Sequence, residues 1–177
     1  TVTNNFLTET LQDGIVSLNL SSNHLTRESA ELLSNFIKSS NTLAFLDISE
    51  TRLTQDAANI IFASISESTI LEFFADDNVF PYEQCQILAE ALSKDPPLEI
   101  LSLCSCDIPS EGGIALAEML SSNHHLKHLR LESNSLYDTA ALKFKETLPQ
   151  SSLISLNLAD NEIWNDGTTA ILSILHL

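Results

Sequence analysis

The sequence predicts an α/β solenoid: a horseshoe with six parallel strands on its concave face and helices on its convex face. Three observations predict it. An eleven-residue frame recurs six times, with apolar residues at positions one, four, six and eleven. The ninth residues of the frames, Asn23, Thr51, Asn78, Cys106, Asn134 and Asn161, lie 28 or 27 residues apart. A helical apolar stripe follows every frame. A period of that length, with one strand and one helix per unit, marks an array in which each unit buries its apolar face only against its neighbours.

The elements follow in order. Residues 1–14 precede the first frame; Phe6, Leu7 and Leu11 have helical spacing and predict the helix of an earlier unit, stopped by Asp13-Gly14. The first frame is Ile15–Leu25, with Leu18 and Leu20 in a short strand and Thr26 as the N-cap of the next helix. Its inward stripe is Ala30, Leu33 and Ile37. The second frame, Leu43–Leu53, leads to Ala58, Ile61 and Ile65. The third, Ile70–Phe80, leads to Cys85, Leu88 and Leu92, and the fourth, Leu98–Ile108, to Gly113, Leu116 and Leu120. The fifth, Leu126–Leu136, leads to Ala141, Phe144 and Leu148, and the sixth, Leu153–Ile163, to Thr168, Ile171 and Leu175.

The first member of each stripe is small, which lets the helix lie close to its strand. Helix exits carry turn residues, such as Asp95-Pro96-Pro97 and Pro149-Gln150-Ser151, and the 27-residue units lose their residue there. The ninth-position Asn side chains are expected to bond the neighbouring turn backbones, which have no sheet partner. With no linker in sight, residues 1–177 read as one domain. Its last helix has no polar cap, which predicts a fragment of a longer array or a contact with another molecule at that end.

Composition narrows the function. The chain carries 24 acidic and 8 basic residues, a net charge of −16. Phosphate-backbone binding needs a basic footprint, so nucleic acid and anionic membrane are unfavourable partners. A basic or mixed protein surface suits this charge. No run of 18 apolar residues is present, so no membrane span is predicted. Three cysteines, Cys85, Cys104 and Cys106, do not form a disulfide framework and fit a reducing, cytoplasmic compartment. His124, His125 and His128 lie one repeat from Cys104 and Cys106, but Cys106 is expected to point inward and the two turns to diverge, so no metal is expected. With only four glycines there is no phosphate loop, and no cofactor or catalytic set is predicted.

The motif L-x-x-L-x-L-x-x-N-x-L, followed by small-x-x-L-x-x-x-L, covers nearly all of residues 15–177. It resembles the ribonuclease-inhibitor-like subfamily of leucine-rich repeats. That resemblance implies a non-enzymatic scaffold for protein recognition, acting through its concave face or a rim. Similar arrays occur in GTPase-activating regulators that act in trans, and in effectors that bacteria deliver into the host cytosol; both remain alternatives. The chain departs from the pattern at Thr51 and Cys106 in the Asn slot, and at Phe73 and Ala75 in the strand.

The candidate site comes from the positions facing the concave side. Phe45, Phe74 and Ile100 are apolar groups on successive strands where side chains ordinarily meet water. Asp47, Glu50, Glu72, Asp76 and Asp77 surround them, and His128 and Arg130 follow on the next repeat. An apolar centre with a charged rim has the composition of a protein-binding hot spot.

Overall fold

The computed structural model describes residues 14–174. Each frame yields one three-residue strand: β1 (Ser17–Asn19), β2 (Phe45–Asp47), β3 (Glu72–Phe74), β4 (Ile100–Ser102), β5 (His128–Arg130) and β6 (Ser155–Asn157). All pair in parallel, in sequence order, in a single sheet. The helices between and after them are α1 (Arg27–Ser39), α2 (Gln55–Ser64), α3 (Tyr82–Leu92), α4 (Ser110–Met119), α5 (Tyr137–Thr147) and α6 (Asn165–Leu172). Short 3₁₀ turns, Ile65–Glu67 and Leu148–Gln150, close α2 and α5. These are the helices of the two 27-residue repeats, so the missing residue is taken up by tightening the helix exit. The helix expected before residue 14 lies outside the described residues.

The register is the expected one: third positions face third positions and fifth face fifth along the whole sheet. Alternation then sends positions four and six into the core. Leu46, Ile48, Phe73, Ala75, Leu101, Leu103, Leu129 and Leu131 are fully buried, in one continuous cluster with the helix stripes. Burying each large aliphatic side chain contributes about 1.5–3 kcal/mol. The odd third repeat compensates internally. Ala75 is small, but Phe73 and Phe80 are large and meet Phe62 of α2 edge-on, with ring centroids 6.1 and 4.9 Å away.

Thr26 caps α1 as expected, its Oγ1 accepting the Ser29 N–H, and Thr54 caps α2 in the same way through the Ala57 N–H. In the fourth repeat the small residues of the helix stripe come as a pair with two jobs. A β-carbon on Gly112 would press on Cys85 of the preceding repeat and on Ile108 of its own. One on Gly113 would press on Leu136 and Ala140 of the following repeat. This corrects the last stripe. Gly167 and Ala170 form the buried face of α6, and Thr168 is exposed. Its slot is the one that meets a following repeat, and none packs there among the described residues.

Positive φ marks the eighth position of every repeat: Ser22, Glu50, Asp77, Ser105, Ser133 and Asp160 all lie between 53° and 57°. No β-branched residue occupies that slot, because the left-handed region is costly for them.

The ninth-position Asn works in alternate junctions. Asn134 donates through Nδ2 to the carbonyls of Leu103, Leu131 and Glu132, and accepts at Oδ1 from the Cys106 and Ile108 N–H groups, both at 3.0 Å. Asn78 repeats this toward Ile48, Ala75 and Asp76, and toward Thr51 and Leu53. In both cases the residue between the two donors, Asp107 or Arg52, has positive φ, which makes its flanking N–H groups converge. Where the next ninth residue is Thr51 or Cys106, a backbone bond replaces the bracket: Leu25 N–H to Thr51 O, and Phe80 N–H to Cys106 O. The ladder is therefore paired and not continuous. Thr51 and Cys106 stay buried, their hydroxyl and thiol donating to Ile48 O and Ala75 O.

Candidate functional site

The concave face presents two rows. The third positions read Ser17, Phe45, Glu72, Ile100, His128 and Ser155; the fifth read Asn19, Asp47, Phe74, Ser102, Arg130 and Asn157. Phe45 and Phe74 therefore meet diagonally across β2 and β3. Their ring centroids are 5.4 Å apart at an interplanar angle of 35°. Ile100 lies diagonal to Phe74 on β4. All three are half-buried, flanked by strands and open toward the concave side. Between Phe74 and Arg130 stands Ser102, small and buried, and the gap above it lets the Arg130 guanidinium lie over the Phe74 ring, 5.7 Å from its centroid.

The acidic residues separate into two kinds. In repeats one, two and six a fifth-position Asn or Asp folds back to accept the seventh-position N–H: Asn19 from Ser21, Asp47 from Ser49, Asn157 from Ala159. Phe74 and Ser102 do not make that turn. Their seventh-position N–H groups are taken by the preceding repeat, Asp76 N–H by Ser49 Oγ and Cys104 N–H by Asp76 Oδ1 at 2.7 Å. The Ser102 hydroxyl also donates to Asp76 Oδ1, at 2.7 Å. Burial pushes the Asp76 carboxyl above its ordinary value, against the lowering effect of those two donors. Asp76 thus holds the turn of the next repeat and is not a free charge of the rim, as the sequence had suggested. Where the fifth-position side chain does not accept that bond, as with apolar Phe74 or with Ser102, the preceding repeat supplies the acceptor, Ser49 for the Asp76 N–H and Asp76 for the Cys104 N–H.

The remaining rim residues are available. Glu50 and Asp77 are exposed at left-handed eighth positions, with Glu50 accepting the Ser22 hydroxyl at 2.6 Å. Asp47 is half-exposed and accepts the Asn19 amide at 3.0 Å. Glu72 and His128 are half-exposed in the third row, and Arg130 is exposed. At the sheet edge beneath Ile100 and His128, Glu99 and Lys127 form an ion pair of 2.6 Å. None of the three cysteines is paired; burial pushes the Cys85 thiol up to about 12 and that of Cys106 higher still. Among the described residues no group of three or more His, Cys, Asp or Glu side chains is arranged to hold a metal ion. No described helix is long and apolar enough to cross a membrane.

Family models described as leucine-rich repeats match residues 14–36, 94–117 and 122–144. Ribonuclease inhibitor from Mus musculus is 31% identical over 144 residues, covering 80% of this chain and 32% of its own length. Ribonuclease inhibitor from Sus scrofa is 28% identical over 169 residues, covering 93% of this chain and 37% of its own length. The chain thus spans about a third of the length of these two relatives. Among solved structures, the leiomodin-1 actin-binding site 2 superposes with a TM-score of 0.66 at 15% identity, over 76% of this chain and 79% of that one, and shares the fold.

Proposed function

We propose that this chain, a leucine-rich-repeat protein of the ribonuclease-inhibitor-like type, is a protein-binding scaffold that engages a basic or mixed protein surface through its concave face. The observation that carries the reading is the Phe45–Phe74 pair, two rings 5.4 Å apart on a sheet face whose other positions, Ile100 aside, are polar or charged. Rigid aromatic groups lose little rotamer freedom on binding and act as anchors, and the surrounding charge selects the approaching surface. Asp47, Glu50, Glu72 and Asp77 supply that charge, while His128 and Arg130 give the far side an opposite character. The ribonuclease inhibitors and the actin-binding segment it resembles bear names of protein-binding proteins, which supports the same reading. The three unpaired cysteines, Cys85 and Cys106 of them buried, support work in a reducing, cytoplasmic compartment. We propose no enzymatic role.

The test is a quantitative pull-down from cell extract with the native chain, a Phe45→Ser/Phe74→Ser variant and a convex-side Glu90→Lys control. Proteins captured by the native chain should be basic, should be lost with the concave variant, and should persist with the control. Capture that ignores the concave variant and fails with the control would overturn the assignment.

A further inference from the structure

A second surface stands apart from the concave face, on the rim where each Asn turn enters its helix. The twelfth position of the six repeats reads Thr26, Thr54, Pro81, Pro109, Tyr137 and Trp164. The first four serve as helix caps or openers. Tyr137 and Trp164 do neither by side chain. This slot faces water inside the array as well as in the last described repeat: Thr54 is exposed with described repeats on both sides, and Tyr137 is 42% exposed with repeat six beside it. Trp164 is 67% exposed.

The local backbone departs from the array at this point. Tyr137 is held at φ +55°, and its N–H donates to Asn161 O one residue later than the corresponding bonds elsewhere. Asn161 Oδ1 beneath it is buried without a partner among the described residues. Asp138 ties the two slots together, its Oδ1 accepting the N–H groups of Trp164 at 2.8 Å and Gly167 at 3.1 Å. Along the chain, the charged residues nearest the two rings are acidic: Asp138, Asp160, Glu162 and Asp166, with no Lys or Arg between Lys145 and residue 177.

We propose that Tyr137 and Trp164 form a docking rim for an arginine-bearing segment of a partner protein. Two exposed aromatic faces among carboxylates suit a planar, weakly hydrated guanidinium, which stacks on the rings and pairs with the acids at once. An ammonium is more strongly hydrated and gains less. The net charge of −16 adds long-range attraction for the same segment. The molecule makes this contact with itself elsewhere, in Arg130 over Phe74.

Trp164 is the only tryptophan in the chain, so its emission reports on this rim alone. The experiment titrates the chain with a nona-arginine peptide and with a nona-lysine peptide at low ionic strength. The arginine peptide should change Trp164 emission saturably and bind about fivefold or more tighter than the lysine peptide. The change should survive Phe74→Ala and weaken about tenfold or more in Glu162→Gln/Asp166→Asn. Tyr137→Asn, which tolerates the left-handed backbone, should weaken it too, with thermal melting checking that the variant folds. Calorimetry on Trp164→Ser gives a second readout, in which arginine-peptide binding should be lost. No saturable change, equal response to both peptides, loss of the change in Phe74→Ala, or undiminished binding by Trp164→Ser would each overturn the proposal.

Discussion

The junction between repeats four and five and the junction between repeats five and six carry the same residue in the same place, and they behave differently. Asn134 makes five hydrogen bonds, three as donor and two as acceptor, and those to Leu103, Cys106 and Ile108 cross its junction. Asn161 makes its three donor bonds, to Leu131, Leu158 and Ala159, and leaves Oδ1 empty-handed. The preceding turn explains it. Asp107 at positive φ turns two N–H groups toward Asn134. In repeat five the positive φ falls on Tyr137, beyond the reach of that bracket. The consensus Asn is therefore a receptor for a particular turn, and works only where the neighbour presents it. The same junctions differ in burial. Leu129 is fully buried between β4 and β6, while Leu156, with a strand on one side only among the described residues, is partly buried.

Four measurements sharpen or break this contrast. The largest effect belongs to the core. Leu129→Ala should cost about 3–5 kcal/mol, and Leu156→Ala about half of that or less, because a cavity between three strands cannot collapse as an open edge can. Equal losses in chemical denaturation would show that repeat six is as fully packed as repeat five.

Asn134→Ala comes next. It should cost about 3 kcal/mol by stranding two buried N–H donors and three carbonyls, against about 1 kcal/mol for Asn161→Ala, where no donor is stranded. If the two variants unfold at the same denaturant concentration, the bracket has no energetic meaning.

Asp76 follows. Asp76→Ala should cost about 1–2 kcal/mol, since the Cys104 N–H and the Ser102 hydroxyl lose their acceptor. Asp76→Asn keeps an oxygen for both and should be near neutral. The carboxyl's folded pKa is raised, so on a rising pH scale it ionises first in the unfolded chain. Its contribution is greatest below the ordinary value of 3.8 and declines as pH rises through the raised folded value. Asp76→Asn should remove that decline from the acid limb of a stability profile; an unchanged profile would show that Asp76 titrates normally.

The smallest effect has the opposite sign. Tyr137→Gly relieves a left-handed backbone, and should stabilise the chain by about 1 kcal/mol or leave it unchanged after the entropy cost of glycine. A marked loss in the thermal midpoint would mean that the ring itself packs, contrary to its exposure.

Much of the fold could be read directly from the residues. Six frames in one register placed the strands at their observed residues, and the helix stripes named the buried faces in all repeats but the last. Thr168 was misplaced because its slot is defined by a following repeat, which the local pattern cannot supply. Within the candidate site the pattern located Phe45, Phe74 and Ile100 on the concave face. It grouped Asp76 with Asp77 as equal charges, because hydrogen bonds 26 and 28 residues away in sequence leave no local trace. Tyr137 and Trp164 carry no local signal: the twelfth position is legible where it holds a capping residue such as Thr26, and these two side chains do not cap.

What the sequence determined by itself was periodicity: strand, turn, helix and return, and which side of each strand turns inward. Those are consequences of backbone geometry and of apolar spacing, and both are local. What only the tertiary structure decided was how neighbours complete one another. Whether an Asn finds its two donors, whether a carboxylate faces a partner or holds the next turn, and whether a guanidinium reaches an aromatic ring all depend on atoms one repeat away. In a solenoid each unit is the solvent of the next, so burial, charge state and strain are set at the junctions.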